Sequence, residues 1–220
     1  MKKHLPLGII TATLLSSATV VGFPFLKSWH EPSDQVRAGG GDIYGTGSAQ
    51  DWGILCSHCH IDGAGKVDAK LDFAPAFKTV NGQKAYVPGT KYKVTVNMLN
   101  EHLGLNQGAD NLNGAVVAIE NQAGKTAGVY ISDNNVRSDK CPSASPAKDP
   151  PGSTYVYGDC HGVLFVPHPN ITTWTFDWIA PAKSSGDLTL FYGVVDGDAN
   201  GLSSLDDDVK EGKLKLVEGN

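Results

Sequence analysis

The sequence predicts an all-β chain, a sandwich of short strands, on three observations. Several runs alternate apolar with polar residues, Pro and Gly punctuate those runs, and both residue types are abundant. Glycine (26) and proline (12) make up about 17% of the 220 residues, against an average near 12%. Charged residues are 19% and the formal net charge is −5, with no basic stripe. Nucleic acid is thereby excluded as a partner, because neutralising phosphates takes clustered Lys and Arg.

The first 28 residues stand apart. Lys2 and Lys3 precede an uncharged run from Leu5 to Leu26 that includes Ile9, Ile10, Leu14, Leu15, Val20 and Val21. That is the pattern of an export signal. The run also approaches the roughly 20 residues that span a bilayer, so an uncleaved N-terminal anchor is the alternative. No Cys stands near its end, which argues against a lipidated N-terminus. Removing residues 1–28 takes away three basic residues and no acid, so the exported part carries −8.

Residues 29–85 show little periodicity and are expected to form an irregular lead segment. From residue 86 to residue 220 the pattern is β. Tyr92, Val94, Val96 and Met98 alternate with Lys93, Thr95 and Asn97, the period of a half-buried strand. Ala115 to Glu120 is a short β-branched run before a turn at Asn121 to Gly124. Trp174, Phe176 and Trp178 alternate with Thr175 and Asp177, and Leu188, Leu190 and Tyr192 repeat the pattern. Lys213 to Glu218 predicts one more strand. Pro88-Gly89, Pro181 and Gly186 are the breaks between runs.

The lead segment holds the chemistry. Leu55-Cys56-Ser57-His58-Cys59-His60 satisfies C-x-x-C-H, the attachment motif of c-type haem. Two thiols three positions apart add to the two porphyrin vinyl groups, and His60 then supplies the proximal imidazole to the iron. Trp52 to Leu55 predicts a short helical turn presenting the cysteines, ended by Asp62, Gly63 and Gly65. His58 reads as a spacer within the motif. Two other readings of the pair stay open: a Cys56–Cys59 disulfide, and a zinc site completed by a distant residue. A thioredoxin-like dithiol lacks its βαβ context.

Cys141 and Cys160 bracket a stretch holding Pro142, Pro146, Pro150, Pro151 and Gly152, which can bury little apolar surface. A disulfide closing that loop is expected, worth roughly 3 kcal/mol by the chain-entropy model. Cys160-His161 in a metal site is the alternative. No nucleophile motif such as G-x-S-x-G or H-E-x-x-H is present, so no catalytic residue is assigned.

Further strings resemble a known family. Tyr86-Val87-Pro88-Gly89-Thr90-Lys91-Tyr92-Lys93-Val94-Thr95-Val96 is similar to the opening of Reeler-type domains. So are Trp174-Thr175-Phe176-Asp177-Trp178-Ile179-Ala180-Pro181 and Gly186-Asp187-Leu188-Thr189-Leu190-Phe191-Tyr192. In the bacterial branch, labelled choice-of-anchor V, a Gly-rich leader ends in Cys-x-x-Cys-His, and Gly45-Thr46-Gly47 onward to His60 looks similar. The resemblance spans roughly residues 42–215. It implies an immunoglobulin-like β-sandwich carrying one haem c on an exported protein of the periplasm, envelope or cell surface. The insert between Cys141 and Cys160 departs from the pattern, and no C-terminal sorting segment is seen.

The sixth iron position separates electron transfer from ligand binding. His168 ranks first, since Pro167 and Pro169 restrict its direction; against it, the resemblance implies a structural role, because Reeler-type domains without haem also carry a His before the Trp-x-Phe-x-Trp strand. Met98 is second, with a core side chain as its plainer reading; His102, His161 and a vacant position complete the set. Asp196-Gly197-Asp198-Ala199-Asn200-Gly201 fits D-x-D-x-N-G, with Asp207 at the twelfth position of an EF-hand-like loop. Calcium on Asp196, Asp198, Asn200 and Asp207 is set against a solvated acidic loop between strands.

The expected function is a mono-haem c-type cytochrome passing single electrons to a redox partner protein in the bacterial envelope. An adhesion or binding module with a structural haem or disulfide is the first alternative. A haem-based sensor or peroxidase-like protein with an open distal site is the second.

Overall fold

A computed structural model describes residues 45–103, 113–131, 154–156, 162–165, 171–197 and 205–219. In chain order, a 3-10 turn at Cys56–His58 leads to β1 (Ile61–Asp62), β2 (Asp68–Ala74), β3 (Lys78–Val80) and β4 (Gln83–Tyr86). Next come β5 (Lys91–Leu99), β6 (Gly114–Asn121), β7 (Val129–Ile131) and β8 (Thr154–Val156). The chain ends with β9 (Gly162–Phe165), β10 (Thr173–Ile179), β11 (Leu188–Asp196) and β12 (Leu205–Glu218).

The chain is all-β, and the strands among the described residues form two sheets. One runs β3-β4-β12-β11-β6-β9-β8, with β1 also pairing β12; the other runs β2-β5-β10-β7. Alternation decides which side chains enter the space between them. Tyr92, Val94, Val96 and Met98 of β5 point inward, as do Trp174, Phe176 and Trp178 of β10. Leu188, Leu190 and Val194 of β11 and Leu216 of β12 meet them from the larger sheet. Trp178 lies at the centre of the aromatic packing. Its ring stacks on Tyr92 at 5.7 Å and meets Tyr86 edge-on at 6.2 Å, and its Nε1 donates to the Ala127 carbonyl at 2.9 Å. Every strand expected from residue 86 onward forms, and the Asn121–Gly124 turn closes through the Gly124 N–H on the Asn121 carbonyl at 2.9 Å.

Two regions differ from the sequence reading. Residues 61–85, expected to be irregular, supply β1 to β3 and most of β4, and β2 pairs with β5 in full register from Asp68↔Leu99 to Ala74↔Lys93. The lead segment thus contributes an edge strand to the sandwich. The last strand, expected from Lys213, begins at Leu205. Asp206, Asp207 and Asp208 therefore belong to a strand, and Asp206 takes φ 68° at an irregularity where β1 pairs with β12. Acids are uncommon in strands because they hydrate well. Asp207 and Asp208 stay there because the lead segment supplies them with hydrogen-bond donors.

Faces on β11 and β12 position the site. Asp196 lies opposite Asp208, Val194 opposite Lys210, and Gly193 opposite Glu211. Side chains alternate between faces, so Gly193, Asp207 and Glu211 lie on the outer face and Asp196 and Asp208 on the inner one. Residues 45–60 fold over that outer face. Among the described residues no helix is long and apolar enough to cross a membrane.

Candidate functional site

The segment that carries the cysteines is held from within and from below. Within it, the buried Asp51 carboxylate accepts the Thr46 N–H at 2.7 Å and the Thr46 hydroxyl, and the Gly47 N–H donates to the Ile54 carbonyl at 2.8 Å. From below, the Glu120 carboxylate at the end of β6 accepts the Ala49 and Gln50 N–H groups at 2.9 and 3.0 Å. Turns at 49–53 and the 3-10 turn at Cys56–His58 replace the single helical turn expected at Trp52–Leu55. Burying carboxylates is unfavourable unless donors surround them, and here each one meets backbone N–H groups.

The C-x-x-C-H motif lies on β12 and β11. The Ser57 N–H and hydroxyl donate to the two oxygens of Glu211 at 2.6 and 3.0 Å. The Cys59 and His60 N–H groups donate to the Cys56 carbonyl at 3.0 and 2.9 Å, which closes the turn. His60 Nδ1 lies 2.6 Å from Asp207 Oδ2, the imidazole 35% exposed and the carboxylate 8%. Gly63 permits this approach: a Cβ there would come within 2.3 Å of the Asp207 carbonyl oxygen. His58 is exposed and its Nδ1 accepts the Leu55 N–H at 3.3 Å, as suits a spacer.

The two thiols have different surroundings. Cys59 is half-buried, whereas Cys56 is 8% exposed with its sulfur turned towards β11. Gly193 makes room for that sulfur, since a Cβ there would come within 2.8 Å of it. Burial, then the negative charges of Glu211 and Asp51, push the Cys56 thiol far above its ordinary range. Burial alone raises Cys59. Both are free thiols. In the folded, haem-free chain, iodoacetamide at pH 8 should therefore label Cys59 at least about tenfold faster than Cys56, because only thiolate reacts. Denaturant should bring the two rates together. Equal rates in the folded chain, read by peptide mass mapping, would contradict the placement of Cys56.

These residues fit a c-type haem at His60 and Cys59. The carboxylate of Asp207 engages Nδ1, so Nε2 is the ring nitrogen that would face an iron, and a carboxylate behind a metal-bound His is a recurrent arrangement. In the haem-free chain the Cys56 sulfur lies buried against Gly193 instead. Among the described residues no group of three or more His, Cys, Asp or Glu is arranged to hold a bare metal ion.

The other expected residues fall elsewhere. Met98 is a core side chain, in the cluster with Tyr92, Val94 and Val96. His102 packs between inner-face acids, its Nδ1 3.2 Å from Asp196 Oδ2 and its Nε2 3.6 Å from Asp208 Oδ2. The buried Asp196 also accepts the His102 N–H at 2.9 Å. Asp196 and Asp207, grouped by sequence as calcium ligands, thus lie on opposite faces of the sheet with different partners. Asp198, Asn200, His161 and His168 lie outside the described residues, as do Cys141 and Cys160. The sequence reading missed Asp51, Glu120, Asp208 and Glu211, the acids that seat the lead segment. Glu120 carried a signal: an acid ending an otherwise apolar run.

No family model matches the chain, and no curated protein matches it. Among solved structures, the reeler domain of human F-spondin is similar at 16% identity and a TM-score of 0.40, over 72% of this chain and 93% of that one. The Reelin-N domain of F-spondin is similar at 17% identity and a TM-score of 0.40, over 69% and 87%. These likenesses concern the fold and bring no chemistry to the residues around His60.

Proposed function

We propose that the chain is an exported mono-haem c-type cytochrome that passes single electrons to a protein partner in the bacterial envelope. The observation that carries this reading is the His60–Asp207 pair, at 2.6 Å, placed at the end of a C-x-x-C-H motif. Cys56 and Cys59 would hold haem c through thioethers, and His60 Nε2 would be the proximal ligand. When bound, the haem supplies a one-electron couple at its iron. The chain's own residues do the rest: Glu211 seats the turn through Ser57, Glu120 and Asp51 hold the preceding loop, and Asp207 orients the imidazole. His168 is proposed for the sixth position. Export follows from the N-terminal run, and the acidic balance of the exported part favours a basic docking face on the redox partner.

The test is covalent loading. Exported from a bacterial host with the haem c maturation machinery, the parent chain should gain the mass of one haem and show a c-type α-band on reduction. Cys56→Ala or Cys59→Ala should keep at most one thioether, and the double variant none after acid–acetone extraction. A parent chain that gains no mass under these conditions would sink the reading. The second reading, an exported binding module whose motif stays unloaded, is favoured by one observation, the sulfur of Cys56 turned inward beside Gly193.

A further inference from the structure

We propose that Asp207 is the tuning residue of this site: its carboxylate fixes His60 as the Nδ1–H tautomer and strengthens Nε2 as a donor, so that the haem iron stays oxidised at potentials where His60 alone would let it be reduced. This rests on the haem reading and specifies how the site is set and which partner it suits.

The geometry is specific. Neutral imidazole carries one N–H, and the nitrogen that bears it is set by what the other atoms of the site accept. Asp207 Oδ2, 2.6 Å from Nδ1, is an acceptor at short range, so the proton belongs on Nδ1 and the lone pair on Nε2. The carboxylate is 8% exposed, so water screens it little. Hydrogen bonding to an anion gives the ring imidazolate character, which favours the more positive oxidation state of a bound iron. Glu211 and Asp51 act in the same direction. Glu211 holds Ser57 and Asp51 lies buried in the preceding loop, which places two further carboxylates around the motif. Reduction adds one electron at the iron and breaks no bond at His60. A site built this way suits a strongly reducing electron donor.

Asp207 is also fixed independently of any haem. It lies on β12 beside the irregularity at Asp206, where β1 pairs Asp62 with it, and Gly63 lets the lead chain pass against its carbonyl. The His60 ring is therefore oriented by the sandwich and not by the flexible end of a side chain.

The experiment uses the whole exported chain with Asp207→Asn, Asp207→Ala and Asp207→Glu. In the loaded protein, Asp207→Asn should move the oxidised-to-reduced ratio at fixed ambient potential about tenfold towards the reduced form, the scale of exchanging a charge-assisted hydrogen bond for a neutral one. For one electron that is about 59 mV upward. Asp207→Glu, which keeps the charge, should restore most of the shift. In the haem-free chain, long-range 15N–1H correlation should show His60 as the Nδ1–H form in the parent and predominantly Nε2–H in Asp207→Ala. A parent ring found as Nε2–H, or a loaded Asp207→Asn that titrates with the parent, would overturn the proposal. A chain that never gains covalent haem overturns the haem reading instead, and the nitrogen spectra still decide whether Asp207 fixes the ring.

Discussion

Replacing Trp178 by Ala should destabilise the chain by about 4 kcal/mol, the usual range for removing a large aromatic side chain from a core. Three losses combine. The ring leaves a cavity between Tyr92 and Tyr86, the two aromatics it packs against at 5.7 and 6.2 Å. The buried Ala127 carbonyl loses the indole donor at 2.9 Å. Gly128 loses the neighbour that fits against it, since a Cβ at that position would meet Trp178 Nε1 at 2.5 Å. In a chain of this size the change should lower Tm by roughly 10 °C. Urea unfolding followed by circular dichroism measures it without relying on the fluorescence of the deleted residue. Trp178→Phe keeps most of the ring volume and loses the N–H, so its loss should be about 1–2 kcal/mol. A loss below about 1 kcal/mol for Trp178→Ala would show that this ring is not the centre of the core.

The alternation that makes Trp178 central was readable in the sequence, because a strand with one face in the core writes its burial in a period of two. Tyr92 to Met98 and Trp174 to Trp178 show it, and both strands form with the inward residues expected. The same signal was present at Asp68–Ala74, where Ala69, Leu71 and Phe73 alternate with Asp68, Lys70 and Asp72. Charge on the outer face and only partial burial on the inner one make it weaker there, as befits an edge strand. The first half of β12 was illegible for another reason. Its acids read as a solvated or ion-binding loop, and what makes them strand residues is the lead segment, more than 140 positions away, whose N–H groups and imidazole they accept. The motif itself is local, so Cys56, Cys59 and His60 could be named from spacing. Their seating could not, because Asp207, Glu211 and Gly193 approach them only through the register of β11 and β12.

Asp208→Ala should destabilise the chain by about 3 kcal/mol and remove part of its sensitivity to acid. The carboxylate accepts the N–H groups of Gly65 at 2.9 Å, Lys66 at 2.7 Å and Val67 at 3.0 Å, the stretch that joins the motif to β2. Removing it leaves those donors without an acceptor, and hydrogen bonds to a charged group are worth about 1.5–3 kcal/mol each before the chain relaxes. Burial alone would raise this carboxyl. The N–H groups of Val67, Lys66 and Gly65, with that of Val209, outweigh burial and hold it below the ordinary carboxylate value. A carboxyl lowered on folding stabilises fully above its unfolded value, about 3.9, and loses that contribution as pH falls through its folded one. The parent should thus lose stability below about pH 4, and Asp208→Ala should lose less over the same interval, so the two curves converge. Asp196, directly opposite, works in the reverse sense: burial raises it, so its protonation relieves the folded state as pH falls. Because His102 lies between the two carboxylates, parent and variant are compared in an Asp196→Asn background, which removes that slope from both. Amide exchange at residues 65–67 should quicken in the variant at neutral pH, while exchange at Val94 and Val96, in the centre of β5, stays at the rate set by global unfolding. Parallel acid limbs for the two proteins would show that the carboxylate of Asp208 does not hold the segment that follows His60.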